Sequence, residues 1–325
     1  MRIRCGTIHI VALAALAVGA AAAAAAAQTV WRFEATDGDG KQGGDAVGKS
    51  ANKTPKTGDT TVLNLPGGEK MVLIYCAPGE FMMGSENGER CEKPVHKVRL
   101  TYGFWMGKYE VTQKQWKSVM GTNPSARKGD YLPVDSVTRG DCDQFLRKIE
   151  AHSHGVRAWL PTEAQWEYAC RAGTKGEYAG EIDLMGWYAG NSDNRPHPVG
   201  GLLPNAWGFC DMHGNVWELC NDLFGEDYYS KSPVNDPPGA AAPRPRSRAV
   251  RNGQTGEISW VDEFDLACRA SGHVLRGGCW YLDAKDCRSA RRHAIGFGAV
   301  PEQLVGFRIC CVLPGELVFV GKKML

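Results

Sequence analysis

The stretch Leu160-Pro-Thr-Glu-Ala-Gln-Trp-Glu-Tyr168 carries the clearest structural signal in this chain. Thr162 is a favoured helix N-cap, and Gln165 three residues later completes a capping box, in which side chains satisfy two otherwise unpaired backbone N–H groups. Gly173 provides a stop signal, because glycine readily adopts the left-handed conformation that ends many helices. The pattern predicts a short helix that begins after Thr162 and ends at Gly173.

Two more short helices and several strands are predicted around this one. The first helix starts after Thr112, where Gln115 completes a second capping box, and the other runs from about Gly140 to Ile149 with apolar residues at helical spacing. The predicted strands are Met71–Tyr75, Lys97–Thr101, His273–Arg276 and Gly306–Cys310. Because turn residues fill the intervals between them, we expect one α+β domain of low regular content, from about residue 61 to 313.

Composition excludes several classes of protein. The 325 residues carry a net charge of only +2, which argues against a dedicated nucleic-acid-binding protein. The 40 glycines and 17 prolines argue against a helix bundle, and ten tryptophans supply material for a real core.

The N-terminal residues 1–27 are typical of a signal peptide. Arg2 and Arg4 precede an apolar run, and the small residues Ala25 and Ala27 suit cleavage before Gln28. We therefore expect a secreted or periplasmic protein with no membrane span after cleavage. Residues 28–60 are predicted to form a flexible polar linker, and residues 314–325 a C-terminal tail.

Residues 240–271 are predicted to form a surface insertion in the domain. This segment holds a basic stretch, Pro243-Arg-Pro-Arg-Ser-Arg248, followed by an acidic patch at Asp262, Glu263 and Asp265. Such charge runs are most often solvated faces rather than partner-binding arms.

The chain contains twelve cysteines, of which Cys5 lies in the predicted signal peptide. Disulfides are the default use of cysteine in an exported protein, but eleven is an odd number, so at least one thiol is left over or pairs between chains. No Cys-x-x-Cys motif supports a structural zinc site.

Six sequence blocks together resemble the sulfatase-modifying factor family, whose founding members are formylglycine-generating enzymes. In chain order they are Pro78-Gly-Glu-Phe-Met-Met-Gly84, Tyr109-Glu-Val-Thr112, Leu160-Pro-Thr-Glu-Ala-Gln-Trp-Glu-Tyr168, Gly214-Asn-Val-Trp-Glu218, Arg276-Gly-Gly278 and Gly306-Phe-Arg308. The resemblance implies a C-type-lectin-like, formylglycine-generating-enzyme-like fold, with a small twisted sheet, short helices and much ordered loop.

A calcium site is predicted in the block that contains Glu218. Asp211 and Glu218 flank a Gly214-Asn215 turn, and oxygen ligands on an irregular loop suit calcium better than zinc or copper. The resemblance implies that Asp211 and Glu218 bind calcium through their side chains, and Gly214 and Val216 through backbone oxygens. The alternative is that these carboxylates only cap turns and accept hydrogen bonds from buried N–H groups.

The predicted catalytic residue is Cys287, and its partner is missing. In the resembling enzymes, two cysteines separated by four residues bind one Cu(I) between their thiolates. Cys287 aligns with the first of them, but Arg292 stands at the second position and cannot ligate a cation. If the Cys287 thiol is free, the charge of Arg292 is expected to lower its pKa.

Other cysteines offer alternative partners. Cys279 lies eight residues before Cys287 and would form with it either a substitute copper pair or, as we favour, a disulfide, while Cys220 is a further candidate partner. The resemblance also implies that Cys170 bridges to the strand after Gly-Phe-Arg. Of Cys310 and Cys311, which face opposite sides of that strand, we select Cys310.

The sequence leaves two functions open. The favoured one is an exported family member that lacks the two-cysteine copper site and acts as a calcium-braced binding or accessory module for a protein, such as a sulfatase, or for a glycan. The alternative is a copper-dependent formylglycine-generating oxidase, which converts the active-site cysteine of a sulfatase to formylglycine.

Overall fold

The computed structural model describes residues 54–240, 272–296 and 303–314, and the backbone of four short strands beyond them. The architecture is α+β with modest regular content, as predicted. The described residues contain four α-helices: α1 (Gln113–Met120), α2 (Arg139–His152), α3 (Glu163–Arg171) and α4 (Ile182–Met185). In the described residues, no helix is long and apolar enough to cross a membrane.

Fifteen strands are described in the domain and its insertion, up to residue 314. They are β1 (Thr60–Asn64), β2 (Lys70–Cys76), β3 (Gly79–Met83), β4 (His96–Leu100), β5 (Phe104–Gly107), β6 (Arg157–Trp159), β7 (Gly186–Trp187), β8 (His213–Gly214), β9 (Trp217–Leu223), β10 (Arg246–Arg251), β11 (Ile258–Glu263), β12 (His273–Arg276), β13 (His293–Ile295), β14 (Val305–Gly306) and β15 (Cys310–Val312). Two further short strands, β16 (Phe319–Val320) and β17 (Lys323–Met324), pair with each other.

The central sheet has five antiparallel strands in the order β1-β2-β5-β15-β6 and separates two hydrophobic cores. Because neighbouring residues of a strand face opposite sides, Cys311 joins the core under α1 and α2, whereas Cys310 joins the core under α3. In the first core, Trp116 stacks on Phe145 with ring centroids 5.3 Å apart. Burial of such aromatic surface is a large stabilising contribution.

A second sheet, in the order β13-β12-β9-β14, carries the residues on which the functional question depends. Strand β14 runs parallel to β9, with Gly306 opposite Glu218, and β12 runs antiparallel to β9, with Arg276 opposite Glu218. The blocks that contain Arg276, Glu218 and Gly306 are therefore neighbours in space although they are far apart in the sequence.

The three predicted helices are present, and Thr112, Thr138 and Thr162 each cap one in a complete capping box. The expected stop of α3 is displaced by one residue, because Ala172 itself adopts the left-handed conformation with φ 45° and Gly173 follows it. The single strand predicted over Gly306–Cys310 is wrong. The chain leaves the second sheet after β14 and enters the central sheet at β15. Arg308, which lies between the two strands, binds Glu218 with its buried side chain.

The predicted surface insertion contains an antiparallel hairpin of β10 and β11, with Arg246 opposite Glu263. Its side chains lie outside the described residues, as do the predicted signal peptide, most of the predicted linker and part of the C-terminal tail.

Candidate functional site

Helix α3 is the centre of the site, and all nine of its residues are buried, including three that are charged. Buried charges are tolerated when they are paired and hydrogen-bonded. Glu163, Glu167 and Arg171 are paired in this way: Glu163 and Glu167 bind arginines far away in the sequence, and Arg171 pairs with Glu167 within the helix. The helix thus fixes the position of every segment that supplies a partner.

Arg292 is one of these partners, and the hydrogen bonds of its guanidinium show what the side chain does. The guanidinium binds Glu163 through two bonds, Nε to Oε1 at 2.6 Å and Nη2 to Oε2 at 2.8 Å, and Nη1 donates to the carbonyl oxygen of Cys91 at 2.7 Å. Burial alone would lower the pKa of Arg292, but the Glu163 carboxylate raises it above the ordinary value. Arg292 is therefore a permanently charged structural residue at the position where the resemblance expects a copper ligand.

Arg276 of β12 holds the segment that follows Cys287. Its side chain is fully buried, forms an ion pair with Glu167, and donates to the carbonyl oxygens of Ser289 and Ala290 at 2.7 and 2.9 Å. These bonds fix the backbone just beyond Cys287 against α3. The Arg276-Gly-Gly278 block is thus an anchor for this loop.

Cys287 lies at the end of a short 3₁₀ helix (Ala284–Cys287) and is 0% exposed. A Cβ atom added to Gly278, whose φ is +77°, would lie 2.5 Å from its sulfur, so the thiol packs directly on the glycine backbone. Burial raises the pKa of the Cys287 thiol far above its usual range, and Cys279 raises it further. The thiol is therefore protonated at neutral pH and shielded from solvent.

The predicted effect of Arg292 on Cys287 is wrong. The guanidinium faces Glu163 and Cys91, and it is the pKa of Cys91 that it lowers, against a larger rise caused by burial. The pKa of Cys287 is raised first by burial and then by the neighbouring Cys279 and Asp286.

The residues around Cys287 do not fit the two-thiolate copper site that the resemblance implies. The positions five residues before and after it are Leu282 and Arg292, and Leu282 packs against the hydrophobic core. Two thiolates are needed to hold Cu(I), whereas the family's second cysteine position holds a guanidinium here and the Cys287 thiol is protonated and buried. The favoured Cys279–Cys287 disulfide is not formed in this structure, although Cys279 is also 0% exposed. Cys220 forms no disulfide either, and its sulfur contacts the carbonyl oxygen of Glu218.

The predicted calcium residues lie together but are unequally engaged. Both oxygens of Glu218 are occupied: Oε1 and Oε2 accept from Arg308 at 2.7 and 2.6 Å, and Oε2 also accepts from Trp166 Nε1 at 2.9 Å. Asp211 Oδ2 accepts from the Gly200 amide at 2.7 Å, but its Oδ1 is buried with no hydrogen-bond partner among the described residues. Asp211 Oδ1 is therefore the atom that a cation would satisfy.

Glu110 belongs to the same cluster and was missed by sequence reasoning. Its carboxylate accepts from the Val216 amide at 3.1 Å and from Asn215 Nδ2 at 2.7 Å. Burial and then the neighbouring Asp211 raise the pKa of Glu110 well above its ordinary value, and burial raises the pKa of Asp211 to about 6. Three buried carboxylates share the single guanidinium of Arg308, an excess of negative charge that suits a cation.

The described residues nevertheless contain no group of three or more acidic, His or Cys side chains arranged to enclose a metal ion. Asp211 and Glu110 fit such an ion in charge, whereas both oxygens of Glu218 bind Arg308. Calcium at this cluster stays a prediction, with Asp211 as the side-chain ligand that the structure favours most.

His213 bridges the loops around Cys287. Its Nε2 accepts from the Ala179 amide at 3.1 Å, so its Nδ1 carries the proton and donates to the carbonyl oxygen of Cys287 at 2.8 Å. Burial lowers the pKa of His213 to about 4, which keeps it neutral at ordinary pH. The Cys170 sulfur lies 3.8 Å from His213 Nε2, and no disulfide joins Cys170 to Cys310 in this structure, so that pairing also stays a prediction.

A cavity of about 860 Å³ opens between β3 and the C-terminal end of α3. Its aromatic wall consists of Phe81, Tyr168 and Trp207, with ring centroids 5.4 Å apart for the first pair and 4.8 Å for the second. Arg288 and Ala290, on either side of the anchored Ser289, line the same cavity. Sequence reasoning missed this feature, because the three aromatic residues come from three separate segments.

Comparison with known proteins shows which proteins this chain resembles. The sequence profile described as the sulfatase-modifying factor enzyme 1-like domain matches residues 63–312. The chain is 29% identical over 258 residues to the serine/threonine-protein kinase pkn1 of Chlamydia caviae, covering 73% of this chain but only 37% of the kinase. It is 36% identical over 219 residues to the formylglycine-generating enzyme of Streptomyces coelicolor, covering 61% of each.

Two solved structures share the fold. Treponema denticola variable protein 1 superposes with a TM-score of 0.64 at 24% identity, covering 78% of this chain and 98% of that protein. PvdO from Pseudomonas aeruginosa superposes with a TM-score of 0.62 at 22% identity, covering 80% of this chain and all of the other. At these identities the likeness shows the fold alone.

Proposed function

Because this chain belongs to the sulfatase-modifying factor family, we propose that it is an exported member that keeps the family fold as a non-catalytic binding or accessory module. The observation that carries the proposal is the pairing of Arg292 with Glu163 in the buried core. A residue that stabilises the fold stands where the copper oxidase needs a thiolate. The chain spans 37% of the length of the kinase relatives, so the activity named for them is not carried over.

The state of Cys287 supports the same conclusion. An oxidase must bring the substrate cysteine to its metal, which requires thiolates that solvent and substrate reach. The Cys287 sulfur is instead enclosed by Gly278 and the surrounding loop, and its pKa is raised. It serves as packing in a loop that Arg276 and His213 already hold by hydrogen bonds.

Calcium is proposed as a brace for this loop scaffold. The unsatisfied Oδ1 of Asp211 and the charge excess of Glu110, Asp211 and Glu218 over Arg308 support a bound cation. Calcium would supply charge neutralisation at Asp211 and so stiffen the turn between β8 and β9. No copper is proposed.

The cavity beside β3 is the proposed ligand site, with a protein or a glycan as the partner. Its volume lies in the range of ligand pockets, and an aromatic wall with charged residues at the rim is typical of such sites. A scaffold rich in ordered loops can present such a site without any catalytic group.

The test is a Cu(I) titration of the purified protein, followed by mass spectrometry of a Cys-x-Pro-x-Arg peptide incubated with it in air. We expect neither stoichiometric copper binding nor conversion of the peptide cysteine. Cys287→Ser is the matched variant, and Cys142→Ser, in the core under α1 and α2, controls for loss of any buried thiol.

The alternative is the formylglycine-generating oxidase, which the relative from Streptomyces coelicolor favours. Stoichiometric copper together with peptide conversion, both lost in Cys287→Ser and kept in Cys142→Ser, would establish it and overturn our proposal. Cys279 would then be the second ligand to test.

A further inference from the structure

Strand β3 has an edge that no other strand covers within the described residues. It pairs antiparallel with β4 on one side only, with Glu80 opposite Arg99 and Met82 opposite Lys97. An uncovered edge presents unpaired N–H and C=O groups, which are a ready template for another strand.

The bonds of Arg99 show which backbone groups lie on that edge. The Arg99 amide donates to the carbonyl oxygen of Val234 at 2.7 Å, and its carbonyl accepts from the Asp236 amide at 2.9 Å. The backbone of Arg99 therefore points away from β3, and its pairing with Glu80 is of the non-hydrogen-bonded kind. Since the two kinds of pair alternate along an antiparallel ladder, the N–H and C=O groups of Glu80 and Met82 both point away from β4.

The backbone N–H and C=O groups of Gly84, just beyond β3, continue the row formed by those of Glu80 and Met82. At Gly84 both groups have hydrogen-bond partners. Its N–H donates to Glu167 Oε1 and its carbonyl accepts from Arg171 Nη2, both at 2.9 Å. Helix α3 thus supplies one acceptor and one donor at Gly84. In the described part of the chain, nothing supplies them at Glu80 and Met82.

The cavity lies along this same edge. Glu80 and Met82 project from one face of β3 and Phe81 from the other, yet all three line it. A cavity that touches both faces of a strand lies beside the strand rather than above or below it. Tyr168 and Trp207 continue the aromatic wall that Phe81 begins.

The charges around the cavity select against an anionic ligand. Three of its lining cations are already paired: Lys97 with Glu80 at 2.6 Å, Arg171 with Glu167 at 2.8 Å and Arg288 with Glu92 at 2.8 Å. Glu86 and Glu177 at the rim offset the fourth, Lys175. The site suits a ligand with little net charge, an apolar side chain and its own hydrogen-bonding backbone.

We propose that the cavity receives an extended polypeptide segment of a partner protein, which adds to β3 as a new strand. Its main chain bonds to the N–H and C=O groups of Glu80 and Met82, and one aromatic or aliphatic side chain packs against Phe81, Tyr168 and Trp207. The inference rests on the proposed function, because it names the ligand class of that site.

The experiment selects phage-displayed random dodecapeptides on the purified protein and measures the affinity of enriched, synthesised peptides. Met82→Pro is the decisive variant: proline lacks the N–H that faces the cavity, while the bonds between β3 and β4 use other residues. Met82→Ala removes the side chain but keeps the N–H. We expect Met82→Pro to weaken binding about tenfold or more and Met82→Ala to weaken it less than threefold, since an unmade buried hydrogen bond costs about 1–3 kcal/mol.

N-methylation of one peptide amide at a time gives an independent readout if Met82→Pro does not fold. The inferred mode predicts that methylation abolishes binding at alternate peptide positions only, those whose N–H faces β3. Equal loss at every position, or none at any, would overturn it.

A glycan array probed with the same protein separates this inference from the proposed function. Glycan binding that is lost in Trp207→Ala but kept in Met82→Pro would leave a binding module in place and overturn the added strand. Failure to enrich any peptide or to bind any glycan would overturn both.

Discussion

At the scale of single residues, the identity of position 292 separates this chain from a copper oxidase. Removing the guanidinium by Arg292→Met should destabilise the fold by about 3 kcal/mol, because the buried carboxylate of Glu163 loses two charge-assisted bonds. It keeps the more distant Arg276 and a long hydrogen bond from the Tyr229 hydroxyl. Urea denaturation measures the effect. Arg90→Met is the matched control, since the Arg90 side chain is 77% exposed and pairs only at the surface, where pairs contribute about 0–1 kcal/mol. An equal loss of unfolding free energy in the two variants would show that the Arg292–Glu163 ion pair contributes no more to stability than a surface pair.

Asp211 makes the calcium proposal testable at one side chain. Calcium at about 100 times its dissociation constant should raise the melting temperature by roughly 5–10 °C, because ligand binding to the native state alone adds about 2.7 kcal/mol. Asp211→Asn should abolish the shift, since it removes the charge at the unsatisfied Oδ1. Scanning calorimetry with and without a chelator measures both. Asp130→Asn, at an exposed site, should keep the full shift, and a native protein that does not respond to calcium would contradict the brace.

At the scale of elements, the turn at Gly278 fixes the loop that contains Cys287. A side chain there would lie 2.5 Å from the Cys287 sulfur and 2.8 Å from the backbone oxygen of Asp286, at a φ of +77°. Gly278→Ala should therefore destabilise the protein by about 2–4 kcal/mol, from left-handed strain and displacement of the 3₁₀ helix Ala284–Cys287. Gly121→Ala supplies the control, because φ is +83° but nothing lies within 4 Å, and it should cost about 1 kcal/mol. If both variants lose the same stability, the loop that contains Cys287 can move to accommodate a side chain at Gly278, and the contacts described above do not fix it.

The helices were predictable from the sequence where residues within one helical turn determine their start. The capping boxes at Thr112 and Thr162 locate α1 and α3, because the bonds they make lie within one helical turn. The charges of α3 were not predictable as core residues: Glu163 pairs with Arg292 and Glu167 with Arg276, each more than 100 positions away. A periodicity argument treats such side chains as solvent-exposed.

At the candidate site, the sequence likewise predicted individual residues but not their long-range contacts. The resemblance predicts Asp211 and Glu218 as calcium ligands and Cys287 as a catalytic residue, but it does not show that Glu218 is bound to Arg308 or that Glu110 joins the cluster. The first fact accompanies the parallel pairing of β14 with β9, a contact between segments about 90 residues apart. The second follows from the bonds of Glu110 to Asn215 and Val216, more than 100 residues away. The uncovered edge of β3 is likewise a property of sheet order, which no local pattern encodes.

At the scale of the whole molecule, the buried acids set how stability depends on pH. Asp222 accepts a hydrogen bond from the Glu163 amide at 2.9 Å, and burial, together with the nearby Glu163 charge, raises its pKa from 3.8 to about 7. The folded protein therefore binds this proton more tightly than the unfolded chain. The contribution of Asp222 to stability is fully present below about pH 4 and is lost as pH rises through 7.

Asp222→Asn should remove that dependence. Between pH 4 and 7 the stability of the native protein relative to the variant should fall by up to about 1.4 kcal/mol per pH unit, and above pH 8 the difference should be constant. Urea denaturation at pH 5, 6, 7 and 8 measures it. Because both proteins keep His213, whose lowered pKa of about 4 gives the opposite slope below pH 6.5, that contribution cancels in the comparison. A difference that stays constant from pH 5 to 8 would mean that Asp222 is ionised throughout, and that Arg292, which lowers its pKa, outweighs burial.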